Sequence, residues 1–136
     1  MAYFQWTDQL DVGVGPMNEQ HQRLIDIMNV LHDRAEAGAP RAELRGLVKS
    51  LADNTIRHFR AEEAYMDSVA YPEAARHKRI HEDLLGTLDQ HRRAFEGGGS
   101  LGAEFFSFLK MWLSAHIKGI DKKYASHAGA LPQRAA

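Results

Sequence analysis

Residues that face the core recur at steps of three and four along four segments, which is the period of an amphipathic α-helix. The first segment begins after Asn18, a suitable N-cap, and ends near Gly38. The second opens at Pro40, where the missing N–H costs nothing in a first helical turn, and runs to about Val69. The inward stripes of these two predicted helices are Leu24, Ile25, Met28 and Leu31, and then Leu44, Leu47, Val48, Leu51 and Thr55.

The second half of the chain predicts two more helices. The third starts at Pro72 and continues to about Phe95, before a triple-glycine turn. The fourth opens at Ser100, is interrupted at Gly119, and is followed by a short helical tail to about His127. The inward stripes here are Ile80, Leu84, Leu85 and Leu88, and then Phe105, Phe108, Leu109, Trp112 and Leu113.

Four amphipathic helices with short connections predict an all-α fold, an antiparallel up-down-up-down four-helix bundle. Residues 1–16 lack helical periodicity and are expected to form an N-terminal arm. The tail after Gly119 is expected to be a short C-terminal helix, and residues 131–136 are expected to fray. We expect residues 1–136 to form a single domain, because a chain of this length has little room for two.

Composition narrows the functional classes. The chain has no cysteine, which excludes disulfides, iron–sulfur clusters and cysteine-ligated zinc. The net charge is −1 with both signs interspersed, so we expect no binding to nucleic acid. No apolar run approaches the ~20 residues that span a bilayer, and no signal peptide is visible, so we expect a cytoplasmic protein that does not insert into membranes. We also expect a monomer.

The chain has eight histidines, and five of them lie on the core-facing stripes. In the second helix, His58 and Glu62 are four residues apart and continue the stripe that ends at Thr55. In the third helix, His77 and His81 have the same spacing and lead into Leu84. His21 opens the stripe of the first helix, and His116 continues that of the fourth.

The position of Asp121 does not follow the helical periodicity of the other six residues. It follows His116 by five residues, which turns a regular helix through about 500° and places the two side chains on different faces. Gly119 lies between them, and glycine allows a bend or a local bulge. We therefore predict a kink or a helix end at this point, which would direct Asp121 to the face of His116.

Five imidazoles and two carboxylates cannot be buried in an apolar interior without compensation. Any one of these residues alone would more often be a core or surface residue than a ligand, but seven on the core faces of all four helices point to a metal site. Seven donors are too many for one six-coordinate ion with an exchangeable position, and they suit two ions if the carboxylates bridge. The predicted ligands are His21, His58, Glu62, His77, His81, His116 and Asp121.

The sequence closely resembles the hemerythrins, in particular the single-domain bacteriohemerythrins. The resemblance covers nearly the whole chain and rests on Trp6, on DVGVGPMNEQH near the N-terminus, and on HFRAEE, HKRIH and WLSAHIKGID in helices two to four. One departure is Asn18, where the family usually has Asp. Both residues cap helices well, so we expect little effect.

The resemblance implies a role for each residue. One iron would be held by the three histidines His77, His81 and His116. The other iron would be held by His21 and His58, and the pair would be bridged by Glu62 and Asp121. O2 would bind at the iron with two histidines, and Leu113, one turn before His116, would line the O2 pocket.

The implied function is reversible O2 binding at a non-haem, oxo- or hydroxo-bridged di-iron centre, for storage or for delivery to O2-consuming enzymes or membranes. One alternative is a sensor of O2 or redox state that acts through a partner. Another is a di-iron redox enzyme, which we disfavour because the sequence contains neither the Glu-x-x-His motif of di-iron oxidases nor HExxH. We therefore expect no enzymatic activity.

The other histidines, one glutamate and two tyrosines are not predicted to bind metal. We expect His32, His91 and His127 to lie at the surface or at the end of the core, away from the metal site. Glu63 is expected to point off the stripe into solvent. Packing is the expected role of Tyr65 and Tyr124, the two tyrosines near the site, and the alternatives are gating of a channel or a hydrogen bond near the site.

Overall fold

The computed structural model describes residues 3–127 and 129, so the predicted fraying of residues 131–136 lies outside the described part. Four long helices form the fold, and the short connections between them make each run antiparallel to the one before. They are α1 (Gly15–Glu36), α2 (Arg41–Ser68), α3 (Ala74–Glu96) and α4 (Ala103–His116). The predicted all-α four-helix bundle is confirmed.

The helix boundaries follow from the local sequence. Helix α1 begins at Gly15, three residues before the predicted cap, because Pro16 fits its first turn and the carbonyl of Val14 accepts the first helical hydrogen bond. Asn18 therefore lies inside the helix, where its side chain accepts a hydrogen bond from the Val12 N–H. The helix ends before Gly38, whose φ of 74° is the left-handed conformation that favours glycine.

The N-terminal arm is ordered where it is described. It contains a 3₁₀ turn at Asp8–Leu10 and buries Phe4, Leu10 and Val12 against the bundle. Asn29 of α1 pairs with the backbone of Phe4, accepting from its N–H and donating to its carbonyl, each at 2.8 Å. The arm thus closes one side of the core.

Helix α4 does not end in a simple kink. It passes at Ile117–Asp121 into a π-helical segment and then into a short helix, α5 (Lys122–His127). The predicted interruption and the short C-terminal helix are therefore both present. None of the helices in the described residues is both long and apolar enough to cross a membrane.

Candidate metal centre

The bundle brings seven polar side chains to one point in its interior. Each of the seven is at most 6% exposed: His21, His58, Glu62, His77, His81, His116 and Asp121. They come from all four long helices and from the π-helical segment. The convergence that the periodicity predicted is therefore present in the fold.

Five of these side chains form one group of donor atoms. The Nε2 atoms of His77 and His81 lie 3.1 and 3.2 Å from Nε2 of His116. Oε1 of Glu62 lies 3.1 Å from His77 Nε2 and 2.9 Å from His81 Nε2. Oδ1 of Asp121 lies 3.1 Å from His77 Nε2 and 3.0 Å from His116 Nε2. The five donors surround a common centre.

The second group has four donors. His21 Nε2 lies 3.2 Å from Oδ2 of Asp121 and 3.6 Å from Oε2 of Glu62. His58 Nε2 lies 3.3 Å from the same Glu62 oxygen. In each group, all donor atoms lie within 4.8 Å of one another.

The two carboxylates belong to both groups. Glu62 presents Oε1 to the group of three histidines and Oε2 to the group of two. Asp121 divides its oxygens in the same way, with Oδ1 on one side and Oδ2 on the other. Each carboxylate is therefore placed to bridge two ions rather than to chelate one.

The π-helical segment explains how Asp121 reaches the site. An α-helix puts residues i and i+4 on one face, but a π-helical turn contains one more residue and puts i and i+5 there. Asp121 is i+5 from His116, and the segment between them is π-helical. Gly119 is not required sterically, because its φ is not in the left-handed region and an added Cβ would enter open space. The π-helical segment at Gly119 therefore does not depend on the left-handed conformations that only glycine adopts easily.

The spacing of the donors fits metal ions. Neighbouring ligands at right angles around an ion, each about 2.1 Å from it, lie roughly 3.0 Å apart, whereas tetrahedral neighbours lie roughly 3.4 Å apart. Six of the donor separations in the five-membered group are 2.9–3.2 Å, and the distance from His116 Nε2 to Oε1 of Glu62 is 3.8 Å, so these atoms are close enough to share one ion.

Hydrogen bonding within the protein does not satisfy these atoms. His116 Nε2 has two imidazole nitrogens and a carboxylate oxygen within 3.2 Å, but one nitrogen carries at most one proton. Among the described residues, no group makes a hydrogen bond of suitable geometry to Nε2 of His21 or to either oxygen of Asp121, although these atoms are buried and close together. Unpaired buried polar atoms are rare, and metal ions would satisfy them.

Without metal, histidines of the centre would be protonated at neutral pH. Burial opposes the charging of His21, but contact with the carboxylates of Asp121 and Glu62 outweighs it and raises the pKa of His21 to about 9. For His116, burial is likewise outweighed by Asp121 and Glu62, and its pKa rises to about 10. A metal ion must therefore compete with protons for these two nitrogens.

The pKa values of the two carboxyl groups are lowered, whereas those of the histidines are raised. Burial alone would raise the pKa of Glu62, but the neighbouring histidines hold it well below the ordinary value. Burial and the charge of Glu62 would raise the pKa of Asp121. Contacts with His116 and His21 outweigh both effects, so the pKa of Asp121 is also lowered. Both carboxylates are thus ionised and available as ligands at neutral pH.

Comparison with known proteins assigns this chain to a family. The family model of the hemerythrin HHE cation binding domain matches residues 12–128. The chain belongs to the hemerythrin family. Bacteriohemerythrin from Stenotrophomonas maltophilia is 35% identical over 130 residues, which cover 96% of this chain and 84% of that protein.

Two further comparisons agree. Bacteriohemerythrin from Methylococcus capsulatus is 32% identical over 126 residues, covering 91% of this chain and 95% of that protein. The crystal structure of a wild-type hemerythrin superposes with a TM-score of 0.86 at 31% identity, covering 92% of this chain and 97% of that one. The hemerythrin fold and a buried histidine–carboxylate cluster suited to metal ions are therefore established for this chain.

Two residues that hydrogen-bond to histidines of the cluster were not identified as such from the sequence. The Nδ1 of His58 lies 2.7 Å from the amide oxygen of Gln20 and must donate to it, since that oxygen only accepts. The Nδ1 of His81 lies 3.0 Å from Oε2 of Glu63 and donates in the same way. The expectation that Glu63 points into solvent is wrong, because its side chain is only 18% exposed and turns towards α3.

Tyr124 also has more than a packing role. Its hydroxyl donates a 3.0 Å hydrogen bond to Oε2 of Glu62, and the side chain is fully buried. Burial and the charges of Glu62 and Asp121 raise the pKa of Tyr124, so it stays protonated. Tyr65 packs edge-on against Tyr124, with ring centroids 5.6 Å apart, as expected for a packing residue.

Phe59 is a neighbour of the centre that the sequence stripes omitted. Its ring stacks flat on that of His81, with centroids 3.8 Å apart and an interplanar angle of 2°. Phe59 directly follows His58 in α2, so its position next to a predicted ligand could have indicated from the sequence that it lies near the centre. The stacking fixes the plane of the His81 ring.

The three remaining histidines lie away from the centre, as expected. His32 stacks on Tyr3 of the N-terminal arm, with ring centroids 4.2 Å apart. His91 stacks on Phe108 at 5.1 Å. The exposed His127 is hydrogen-bonded to the backbone carbonyl of Val69 at 2.9 Å.

Proposed function

We propose that this hemerythrin binds O2 reversibly at a pair of iron ions and serves in O2 storage or delivery. The proposed ligands of one iron are His77, His81 and His116. Those of the other are His21 and His58, with Glu62 and Asp121 bridging the two. The observation that carries the proposal is the division of each carboxylate, with one oxygen facing each group of histidines.

Unequal donor numbers favour a ligand-binding role. Around one centre the protein offers five donors, and around the other it offers four. For six-coordinate ions, more positions are left for an outside ligand at the ion held by His21 and His58. Imidazole and carboxylate donors suit iron, and a pair of iron ions would supply the two electrons that O2 takes up on binding and returns on release.

The protein around the centre would keep water out. Leu113 is 1% exposed and lies one turn before His116, and we propose that it shields bound O2. Phe59 and Trp112 are buried beside the same histidine, with ring centroids 6.0 and 6.3 Å from that of His116. An apolar wall of this kind would slow oxidation of the centre by excluding water.

Tyr124, the tyrosine beside the centre, is unsuited to act as a general base. General acid–base catalysis needs a group whose pKa lies near the working pH. The phenol of Tyr124 donates to Glu62, and its pKa is raised, so it holds its proton at neutral pH. The relatives from Stenotrophomonas maltophilia and Methylococcus capsulatus carry the name bacteriohemerythrin, which supports a role of the hemerythrin type.

The test is a reversible O2-binding measurement. Metal-free protein is reconstituted anaerobically with Fe(II), exposed to O2, purged with argon and exposed again, while its absorption spectrum is recorded. We expect charge-transfer bands to appear with O2, fade on purging and return on re-exposure. Bands that form once and persist after purging would contradict reversible binding and favour sensing or redox chemistry.

Two variants sharpen this test. Asp121→Ala removes a bridging carboxylate and should abolish the reversible bands. His32→Ala removes a histidine that stacks on Tyr3 outside the centre and should leave them unchanged. Equal behaviour of the two variants would contradict the proposed site.

A further inference from the structure

The two halves of the centre are supported by chemically different partners. On the three-histidine side, His81 donates from Nδ1 to the carboxylate of Glu63 at 3.0 Å. On the two-histidine side, His58 donates from Nδ1 to the neutral amide of Gln20 at 2.7 Å. In both hydrogen bonds the imidazole Nδ1 donates, and the two acceptors differ by one unit of charge.

The negative charge of Glu63 acts mainly on His81. Its side chain is 18% exposed, so it is only partly screened by water. Among the described residues, Arg60 is the cation that pairs with Glu63; its Nη1 lies 3.8 Å from the other oxygen of Glu63, and its side chain is 76% exposed. An exposed pair at this distance is weak, so it neutralises little of the charge.

A carboxylate acts differently from an amide on a ligated imidazole. By accepting the Nδ1 proton it increases the basicity of Nε2, the nitrogen that faces the centre, and so strengthens that donor towards a more highly charged ion. A neutral amide fixes the ring and its tautomer but adds little electron donation. The halves should therefore differ in how strongly they stabilise an oxidised ion.

We propose that Glu63 is a positioning residue that makes the three-histidine half the stronger electron donor, and that Gln20 keeps the two-histidine half the weaker one. The inference rests on the proposed di-iron function and adds to it the origin of an electronic difference between the two ions. Glu63 holds the ring of His81 and stabilises positive charge on its ion. Gln20 holds His58 without adding charge.

The experiment removes the charge at one position and adds it at the other. Glu63→Gln keeps a hydrogen-bond acceptor beside His81 and removes the charge, and Gln20→Glu does the reverse beside His58. Glu82→Gln removes a carboxylate from the exposed residue next to His81 and serves as the matched control. Circular dichroism verifies that each variant is folded.

The first readout uses Co(II) alone and does not depend on O2. We expect Glu63→Gln to lower the affinity for one of two Co(II) ions by about tenfold and to leave the other unchanged, as is typical when such a partner is removed. Gln20→Glu should raise the affinity for the other ion. Proton NMR of the Co(II) protein should show the exchangeable His81 N–H shifted in Glu63→Gln and unchanged in Glu82→Gln.

The second readout is the reduction potential of the iron-loaded protein. Glu63→Gln should raise it, favouring the reduced form, and slow oxidation in air several-fold, whereas Gln20→Glu should do the opposite. Wild-type behaviour of Glu63→Gln in both readouts, or equal effects of Glu63→Gln and Glu82→Gln, would overturn the proposal. If Glu63→Gln does not fold, the proposal is tested with Gln20→Glu alone. A Gln20→Glu protein with the Co(II) affinity and the reduction potential of the wild type would then refute the proposal. Since Co(II) binding is scored without O2, failure of this inference can be told from failure of O2 binding.

Discussion

Replacing Tyr124 with phenylalanine removes one hydroxyl group from the edge of the metal centre. The tyrosine is fully buried, and its hydroxyl donates to Oε2 of Glu62 at 3.0 Å. The ring remains in Tyr124→Phe, so packing is largely conserved. What is lost is one hydrogen bond to a buried carboxylate.

The magnitude follows from the charge of the acceptor. A hydrogen bond to a charged group contributes about 1.5–3 kcal/mol, and Glu62 is completely buried, so water does not replace the missing donor. We expect the free energy of unfolding of the metal-free protein to fall by about 2 kcal/mol. For a chain of this size that corresponds to a Tm lower by roughly 7 °C. Metal affinity should also fall by about tenfold, because Glu62 loses the partner that orients it.

The assay is urea unfolding of the metal-free protein, with Tyr65→Phe as the matched control. Tyr65 contacts Tyr124 edge-on, and its hydroxyl makes no hydrogen bond within residues 3–127. The control should change stability by less than about 0.5 kcal/mol. Equal losses in the two variants would refute the argument, since they would show that the hydroxyl of Tyr124 contributes nothing through Glu62.

Four further results are expected. Gly119→Ala should raise stability by about 0.5–1 kcal/mol in thermal unfolding and keep the metal content, whereas loss of an ion would show that glycine is required. Ala70→Gly should add about 0.5–1 kcal/mol, because the alanine has a φ of 52°, and a lower Tm would contradict this. Leu113→Ala should cost about 2–5 kcal/mol in urea unfolding and speed oxidation of the O2-bound protein, and an unchanged oxidation rate would exclude shielding. At pH 7, His21 and His116 are protonated in the metal-free protein, so metal binding should release at least two protons in a weakly buffered titration, and release of fewer than one would contradict the pKa values of about 9 and 10.

The same two histidines predict how the stability of the metal-free protein depends on pH. Their folded-state pKa values lie above the ordinary 6.5, so the folded state binds protons more tightly than the unfolded state does. Their contribution to stability is complete below about pH 6.5 and is lost as pH rises towards 10. Metal-loaded protein should not show this loss, because the ions replace the protons.

The positions of the buried donor residues could be predicted because they follow helical periodicity. His58 and Glu62 continue the apolar stripe of α2, and burial of polar groups on a core face requires compensation. That reasoning needs no knowledge of which helix packs on which. It also indicates that Asp121 must be redirected, because five residues do not match the period of an α-helix.

Contacts between distant parts of the chain could not be predicted in this way. The hydroxyl of Tyr124 reaches a carboxylate 62 positions earlier, and Glu63 reaches a histidine 18 positions later. Periodicity assigns Glu63 to the side of α2 away from the stripe, but α3 packs there and encloses it. The π-helical form of the break was also beyond the pattern, which shows only that the regular helix must change.

The central claim is that the buried donors hold two ions that share Glu62 and Asp121. Native mass spectrometry of protein reconstituted anaerobically with Fe(II) and then desalted tests it most directly. The account predicts two iron ions on every chain. A chain that holds one iron ion, or none, would contradict it.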